Sequence, residues 1–146
     1  MMADMTFVVD TKARGSEAYH RTATAEFSCA ETRQSGDESK PNPLELLLGS
    51  LTGCMTVVLQ IIAAERGWPN VEAEYHAEGA LDPRGLMGDP NVAPFFHTIT
   101  LQVRVTGVPD SQGPWLQQEV GRRCPVHRLM EAAGVHLNES WHVESR

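Results

Sequence analysis

The feature that most constrains this chain is its apolar run from Leu44 to Ala64, interrupted by Glu45 and Gln60 and bounded by the charges of Glu65 and Arg66. Its start and stop are both written locally. Asn42 can cap, Pro43 suits the first helical position, and Glu45, three residues after the cap, completes a capping box. Gly67 supplies a left-handed stop. The result is a helix of about 24 residues, near 36 Å long at roughly 1.5 Å per residue. Its interruptions leave too few clean positions for a bilayer span. Apolar residues lie all round it, so it requires cover on nearly every side.

The remaining chain reads as strands and short helices. Met5 to Val9 and Tyr19 to Cys29 are expected strands, the second with Tyr19, Arg21, Ala23, Ala25 and Phe27 on one face. Ser35 to Asn42 is a polar loop. Val71 to Ala80 alternates, with Val71, Ala73, Tyr75 and Ala77 inward and Glu72, Glu74, His76 and Glu78 outward; Ile99, Leu101, Val103 and Val105 repeat the pattern. Between them, Asp82 to Pro94 is a loop of the length often used for lids. Trp115 to Arg123 reads as helix, Cys124-Pro125 starts a new turn, and Gly134 ends it before a strand from Val135 to Val143. With no repeat and no linker, residues 1–146 are expected to form one α+β domain, its long central helix packed on antiparallel sheets. One chain's sheets cannot cover such a helix completely. A second copy is therefore expected, in an obligate homodimer with paired central helices.

A formal charge of −7 and a pI near 5.3 argue against nucleic acid as a partner, because phosphate binding relies on a basic surface. The N-terminus, Met1-Met2-Ala3-Asp4, has no basic segment or apolar stretch of leader type, so the expectation is a soluble cytoplasmic protein with no membrane partner. Cysteines in that compartment are reduced at rest, and a disulfide there is transient and catalytic.

Two thiols stand out. Cys124 precedes Pro125 and is flanked by Arg122, Arg123, His127 and Arg128. As a helix cap among cations it is expected to have a lowered pKa; the alternative is a small capping residue without reactivity. Cys54 shares a helix face with Leu47, Leu51, Val58 and Ile61 and, taken alone, reads as a core thiol. Cys29 ends a strand with nothing basic in sequence beside it and reads as a bystander. The six histidines are dispersed, with no i, i+4 pair and third ligand, so no metal site is expected. His127 either steadies a thiolate at Cys124 or is a surface helix histidine.

The motifs Asn42-Pro43-Leu44-Glu45-Leu46-Leu47, Gly53-Cys54 and Arg123-Cys124-Pro125-Val126, in this order and spacing, resemble the OsmC/Ohr family of thiol-dependent peroxidases. The resemblance implies an intertwined homodimer with sites at the subunit interface. It implies that Cys54 attacks a peroxide oxygen, becomes a sulfenic acid and is captured by Cys124 as a disulfide that a dithiol reduces, with no resident cofactor. Organic hydroperoxides are the substrates it implies, and Leu47, Leu51 and Val58 beside Cys54 suit an apolar pocket. Peroxidase members carry Glu directly after the Asn-Pro pair, where this chain has Leu44 and then Glu45. Nine steps at about 100° put Glu45 on the far side of the helix from Cys54, which favours capping over catalysis. For the arginine that steadies the thiolate, position points to Arg33, with Arg21 behind it. The alternative reading keeps the fold as a dimeric small-ligand-binding or redox-sensing protein without efficient peroxidase turnover.

Overall fold

The structure is a computed structural model that describes residues 2–31 and 39–146. The chain divides into two compact units, Met1–Leu47 and Leu48–Arg146.

The first unit is a three-stranded antiparallel meander: β1 (Asp10–Arg14), β2 (Glu17–Arg21) and β3 (Glu26–Ala30). The continuous strand expected from Tyr19 to Cys29 is broken by a tight turn. Thr22 N donates to Ala25 O at 2.8 Å, and Thr22 Oγ1 accepts from Ala25 N at 3.0 Å, so the threonine's own hydroxyl competes with the ladder. That turn also displaces the first strand. β1 pairs with β2 from Arg14↔Glu17 to Asp10↔Arg21, and beyond Arg21 the chain folds away. Met5 to Val9, expected as a strand, runs past the last available partner and is irregular, with Phe7, Val8 and Val9 exposed.

The long helix α1 (Pro43–Arg66) begins in this unit, and its cap is the expected one. Asn42 Oδ1 accepts from Leu44 N at 2.7 Å, and Glu45 Oε1 accepts from Asn42 N at 2.7 Å, which closes the capping box. Gly67, at φ 72°, ends the helix in the left-handed conformation.

In the second unit, β4 (Glu72–Ala80), β5 (Thr98–Thr106) and β6 (His136–Glu144) form one sheet in that order. A one-turn helix, α2 (Pro83–Leu86), lies within the segment expected to be a loop, capped by Asp82. β4 and β5 are antiparallel, but β5 and β6 are parallel, which corrects the expectation of purely antiparallel sheets. The reason is the connection: α3 (Gly113–Arg123) and α4 (Pro125–Ala132) form the crossover that a parallel pair needs. Gly107 starts that crossover at φ 93°, where a Cβ would lie 2.2 Å from Asn70 O, so only glycine fits.

The core of this unit lies between the inner sheet face (Ile99, Leu101, Val103, Val105) and the helices. From α1 come Leu51, Met55, Leu59 and Ile62; from α3 come Leu116 and Val120. By length and apolar content alone α1 meets the test for a membrane span, yet one of its faces is spent on this core. The cover expected on nearly every side is not supplied by the described residues. Gly49, Gly53, Val57 and Ile61, four residues apart, are exposed, and a Cβ on either glycine would meet nothing within 4 Å.

Candidate functional site

Cys124 sits at the joint of two helices. Its amide donates to Val120 O at 2.9 Å, ending α3, and its carbonyl accepts from Arg128 N at 2.9 Å, starting α4. Pro125 disfavours helical backbone at the residue before it, and Cys124 is accordingly extended, at φ −80° and ψ 115°. This kink turns the thiol inward, where it is fully buried. Cys54, at the middle of α1, is half-buried: it lies on the border between Leu51 and Val58, which are in the core, and Val57 and Ile61, which are open. The two thiols are free, and Cys54 lies close enough to act on the ionisation of Cys124.

The acidity expected of Cys124 is reversed. Burial pushes its pKa up to about 11, the amides of His127 and Val126 pull it down, and the hydrogen bond and charge of Cys54 push it further up. Neither amide closes a cap hydrogen bond with the sulfur. The arginines that suggested an acidic thiol are committed elsewhere: Arg122 to Glu119 at 2.8 Å, Arg123 to Glu65 at 2.7 Å and Arg128 to Glu131 at 3.0 Å. Desolvation therefore wins over a helix N-terminus whose neighbouring cations face away. At neutral pH Cys124 is a protonated thiol able to donate to the sulfur of Cys54.

His127 is neither a surface histidine nor a partner of the thiol. Only 4% of it is exposed, and its Nε2 lies 2.9 Å from Glu139 Oε2 on β6. Its Nδ1 is 2.6 Å from Glu131 Oε1, close enough to pair electrostatically but out of hydrogen-bond alignment. Trp141 Nε1 donates to Glu139 Oε1 at 3.0 Å. Burial works against the imidazolium, but Glu139 and then Glu131 outweigh it, and the pKa of His127 is raised. Burial likewise opposes the Glu139 carboxylate, and the hydrogen bonds of His127 and Trp141 reverse the balance, so its pKa is lowered.

Two further residues join the site. Thr56, two positions past Cys54, donates to the Tyr75 hydroxyl at 3.2 Å. Burial raises the pKa of Tyr75, the Thr56 hydrogen bond lowers it, and a charge on Cys124 would raise it, which puts the phenol within electrostatic reach of that sulfur. Sequence reasoning missed this role, although Tyr75 stands in the inward phase of its strand. Beside Thr56 opens a groove of about 730 Å³ bordered by Gln60, Glu72, Glu74 and Arg104. Its rim carries several charged side chains, whereas of the side chains expected to line an apolar pocket Leu51 and Val58 are in the core and Leu47 is exposed.

Of the other expected residues, Glu45 is occupied at the helix cap, Arg21 pairs with Glu26 at 2.8 Å on an exposed hairpin, and Arg33 lies outside the described residues. Cys29 has a basic neighbour that the sequence did not reveal: His20 Nε2 is 3.3 Å from its sulfur. Among the described residues no three His, Cys, Asp or Glu side chains gather as a metal site would require.

The comparison that decides the lineage is a match of residues 36–140 to the family model for OsmC-like proteins. This chain belongs to the OsmC-like family. Solved structures agree on the fold. An OsmC-like protein from Mycoplasma pneumoniae superposes with a TM-score of 0.81 at 13% identity, covering 97% of this chain and 99% of that one. An organic hydroperoxide resistance protein from Legionella pneumophila gives 0.65 at 16% identity, covering 99% and 98%. The organic hydroperoxide resistance protein OhrB of Bacillus subtilis gives 0.63 at 14%, covering 95% and 98%. Among curated proteins nothing matches significantly. The OsmC-like match spans the cap of α1, both thiols and His127, so the site described above lies inside the matched segment.

Proposed function

We propose that this OsmC-like protein is a thiol-dependent peroxidase that reduces organic hydroperoxides through Cys54. In the first step the Cys54 sulfur attacks the peroxide, the O–O bond breaks, an alcohol leaves and Cys54 becomes a sulfenic acid. The Cys124 sulfur then attacks the Cys54 sulfur, the S–O bond breaks and the hydroxyl departs with the thiol proton as water. An external dithiol reduces the resulting disulfide by two exchanges, and no resident cofactor is needed. The observation that carries this reading is the thiol pair itself: a half-buried, free Cys54 within electrostatic reach of a buried, free thiol at Cys124. The organic substrate is supported by the hydroperoxide resistance proteins among the structural relatives and by the apolar side chains of α1 on either side of Cys54. With a dithiol reductant, cumene or tert-butyl hydroperoxide should be consumed at least about tenfold faster than hydrogen peroxide, one to two kcal/mol of apolar contact being sufficient. Equal rates would contradict an apolar approach to Cys54.

A homodimer belongs to the same proposal. The stripe Gly49, Gly53, Val57 and Ile61 lets two α1 helices approach closely, and each uncovered copy leaves it in water. Sedimentation at micromolar concentration should give twice the chain's mass of 16.1 kDa. A stable monomer under those conditions would refute the pairing.

A second reading, a small-ligand-binding or redox-sensing dimer without efficient turnover, is favoured by Leu44 standing where peroxidase members of the family carry Glu, with Glu45 spent on the cap. The same peroxide assay separates the two: under this reading oxidation stops after one equivalent.

A further inference from the structure

We infer that His127, clamped between Glu139 and Glu131, is a positioning residue for the thiol pair: it anchors the first turn of α4 to β6 and so holds Cys124 against Cys54. The sequence of contacts is short. Cys124 is the cap of α4 and His127 lies three residues on, in the same first turn. Its ring reaches Glu139 on β6 at 2.9 Å, and Trp141 fixes the other oxygen of that carboxylate at 3.0 Å. From α3 the ring meets Gly121, where a Cβ would stand 3.1 Å from Cε1, so that side offers contact but no charge. The charged residues of α3, Glu119, Arg122 and Arg123, pair with each other and with Glu65 instead. The charges that act on His127 are therefore Glu139 from β6 and Glu131 from α4, and Arg128 holds the second oxygen of Glu131 at 3.0 Å. Among the described residues the sulfur of Cys124 receives no cap hydrogen bond and its arginine neighbours pair elsewhere, so its position follows from its backbone, bonded to Val120 O on the α3 side and to Arg128 N in the first turn of α4. A charged His127 thus ties the first turn of α4, which carries the buried thiol at its cap, to the sheet.

This deepens the proposed function, since holding Cys124 in place is what disulfide formation requires, but its test does not depend on peroxide turnover. The probe is oxidised glutathione. One protein thiolate attacks it, forming a mixed disulfide and releasing one glutathione thiolate; the second protein thiolate attacks that mixed disulfide, forming the Cys54–Cys124 bond and releasing the other. Two electrons pass from the protein dithiol to one glutathione disulfide. The equilibrium reports the effective concentration of one cysteine at the other. It is measured in the full-length protein from about pH 6 to about pH 9, with the imidazole titration followed by NMR on the same samples.

In the wild type the effective concentration should fall as His127 loses its proton. In His127→Gln it should be lower by about tenfold at acidic pH, within the range of coupling inside one hydrogen-bonded network, and the deficit should close as the wild type loses the same charge. Glu131→Gln removes an exposed carboxylate and one of the two anions favouring the imidazolium, so both the NMR titration and the fall in effective concentration should move together to lower pH. This second variant serves if His127→Gln does not fold. A titration that moves while the thiol equilibrium stays where it was overturns the proposal, as does a His127→Gln deficit that is constant with pH. A protein that forms the disulfide as described yet consumes no hydroperoxide would sink the peroxidase reading and leave the positioning role standing.

Discussion

Cys54→Ser should lose hydroperoxide consumption by at least on the order of a thousandfold, the loss expected when an essential nucleophile is removed. Cys124→Ser should behave differently. It keeps the attacking sulfur, so with one equivalent of organic hydroperoxide it should accumulate a sulfenic acid at Cys54 that a sulfenate-specific reagent traps and mass spectrometry locates. The assignment rests on burial and ionisation together. Cys124 is buried and its pKa is pushed up to about 11, so at pH 7 it is held as the thiol, and a peroxide in solvent cannot touch it. Cys54 is half-buried at the edge of the apolar surface of α1. The wild-type disulfide should appear faster as pH rises from about 7 to about 9, because the resolving thiol ionises above that range and each unit supplies tenfold more thiolate. A sulfenic acid at Cys124 in Cys54→Ser, formed at the wild-type rate, would reverse the two roles.

What could be read in the sequence was what is local. The capping box at Asn42 and Glu45, the left-handed stop at Gly67 and the whole extent of α1 follow from residues within a few positions of each other, and all are present. The alternation of β4, β5 and β6 is local in the same sense. The pairing of those strands is not. The parallel register of β5 with β6 depends on how α3 and α4 cross over, which no run of residues states. Cys124 fails for a related reason. Its neighbours in sequence are cations, and their sign was read correctly, but Arg123 reaches Glu65, fifty-eight positions away, and the thiol faces a core drawn from the whole unit. An ionisation constant is set by what surrounds the group in space, and here the desolvation of one sulfur outweighs charges that point elsewhere. The pairing of His127 with Glu139 was missed although one sign of it was available. In β6, Glu139 shares the inward phase with Leu137, Trp141 and Val143, and a carboxylate in an inward phase requires a buried partner.

That buried pair supplies the largest stability effect. Glu139→Ala should destabilise the fold by about 1–3 kcal/mol near pH 6, because it removes the main counter-charge and hydrogen-bond partner of a buried imidazolium. Neutralising His127 caps the cost, and the cap gives the effect its pH dependence. The folded pKa of His127 is raised above its usual 6.5, so its contribution is complete below about pH 6.5 and is lost as pH rises through the folded value. The folded pKa of Glu139 is lowered from 4.5, so its contribution is complete above that and lost as pH falls through the folded value. The pair therefore stabilises most between about pH 4.5 and about pH 6.5. In urea titrations the gap between wild type and Glu139→Ala should be widest in that window and should narrow toward alkaline pH, where both proteins hold a neutral ring. Glu139→Gln keeps the volume and a hydrogen-bonding oxygen for Trp141, and it should show the same pH dependence on a smaller gap. A gap that does not change from about pH 5 to about pH 9 would mean that Glu139 acts by packing alone, with no charge on His127 to lose.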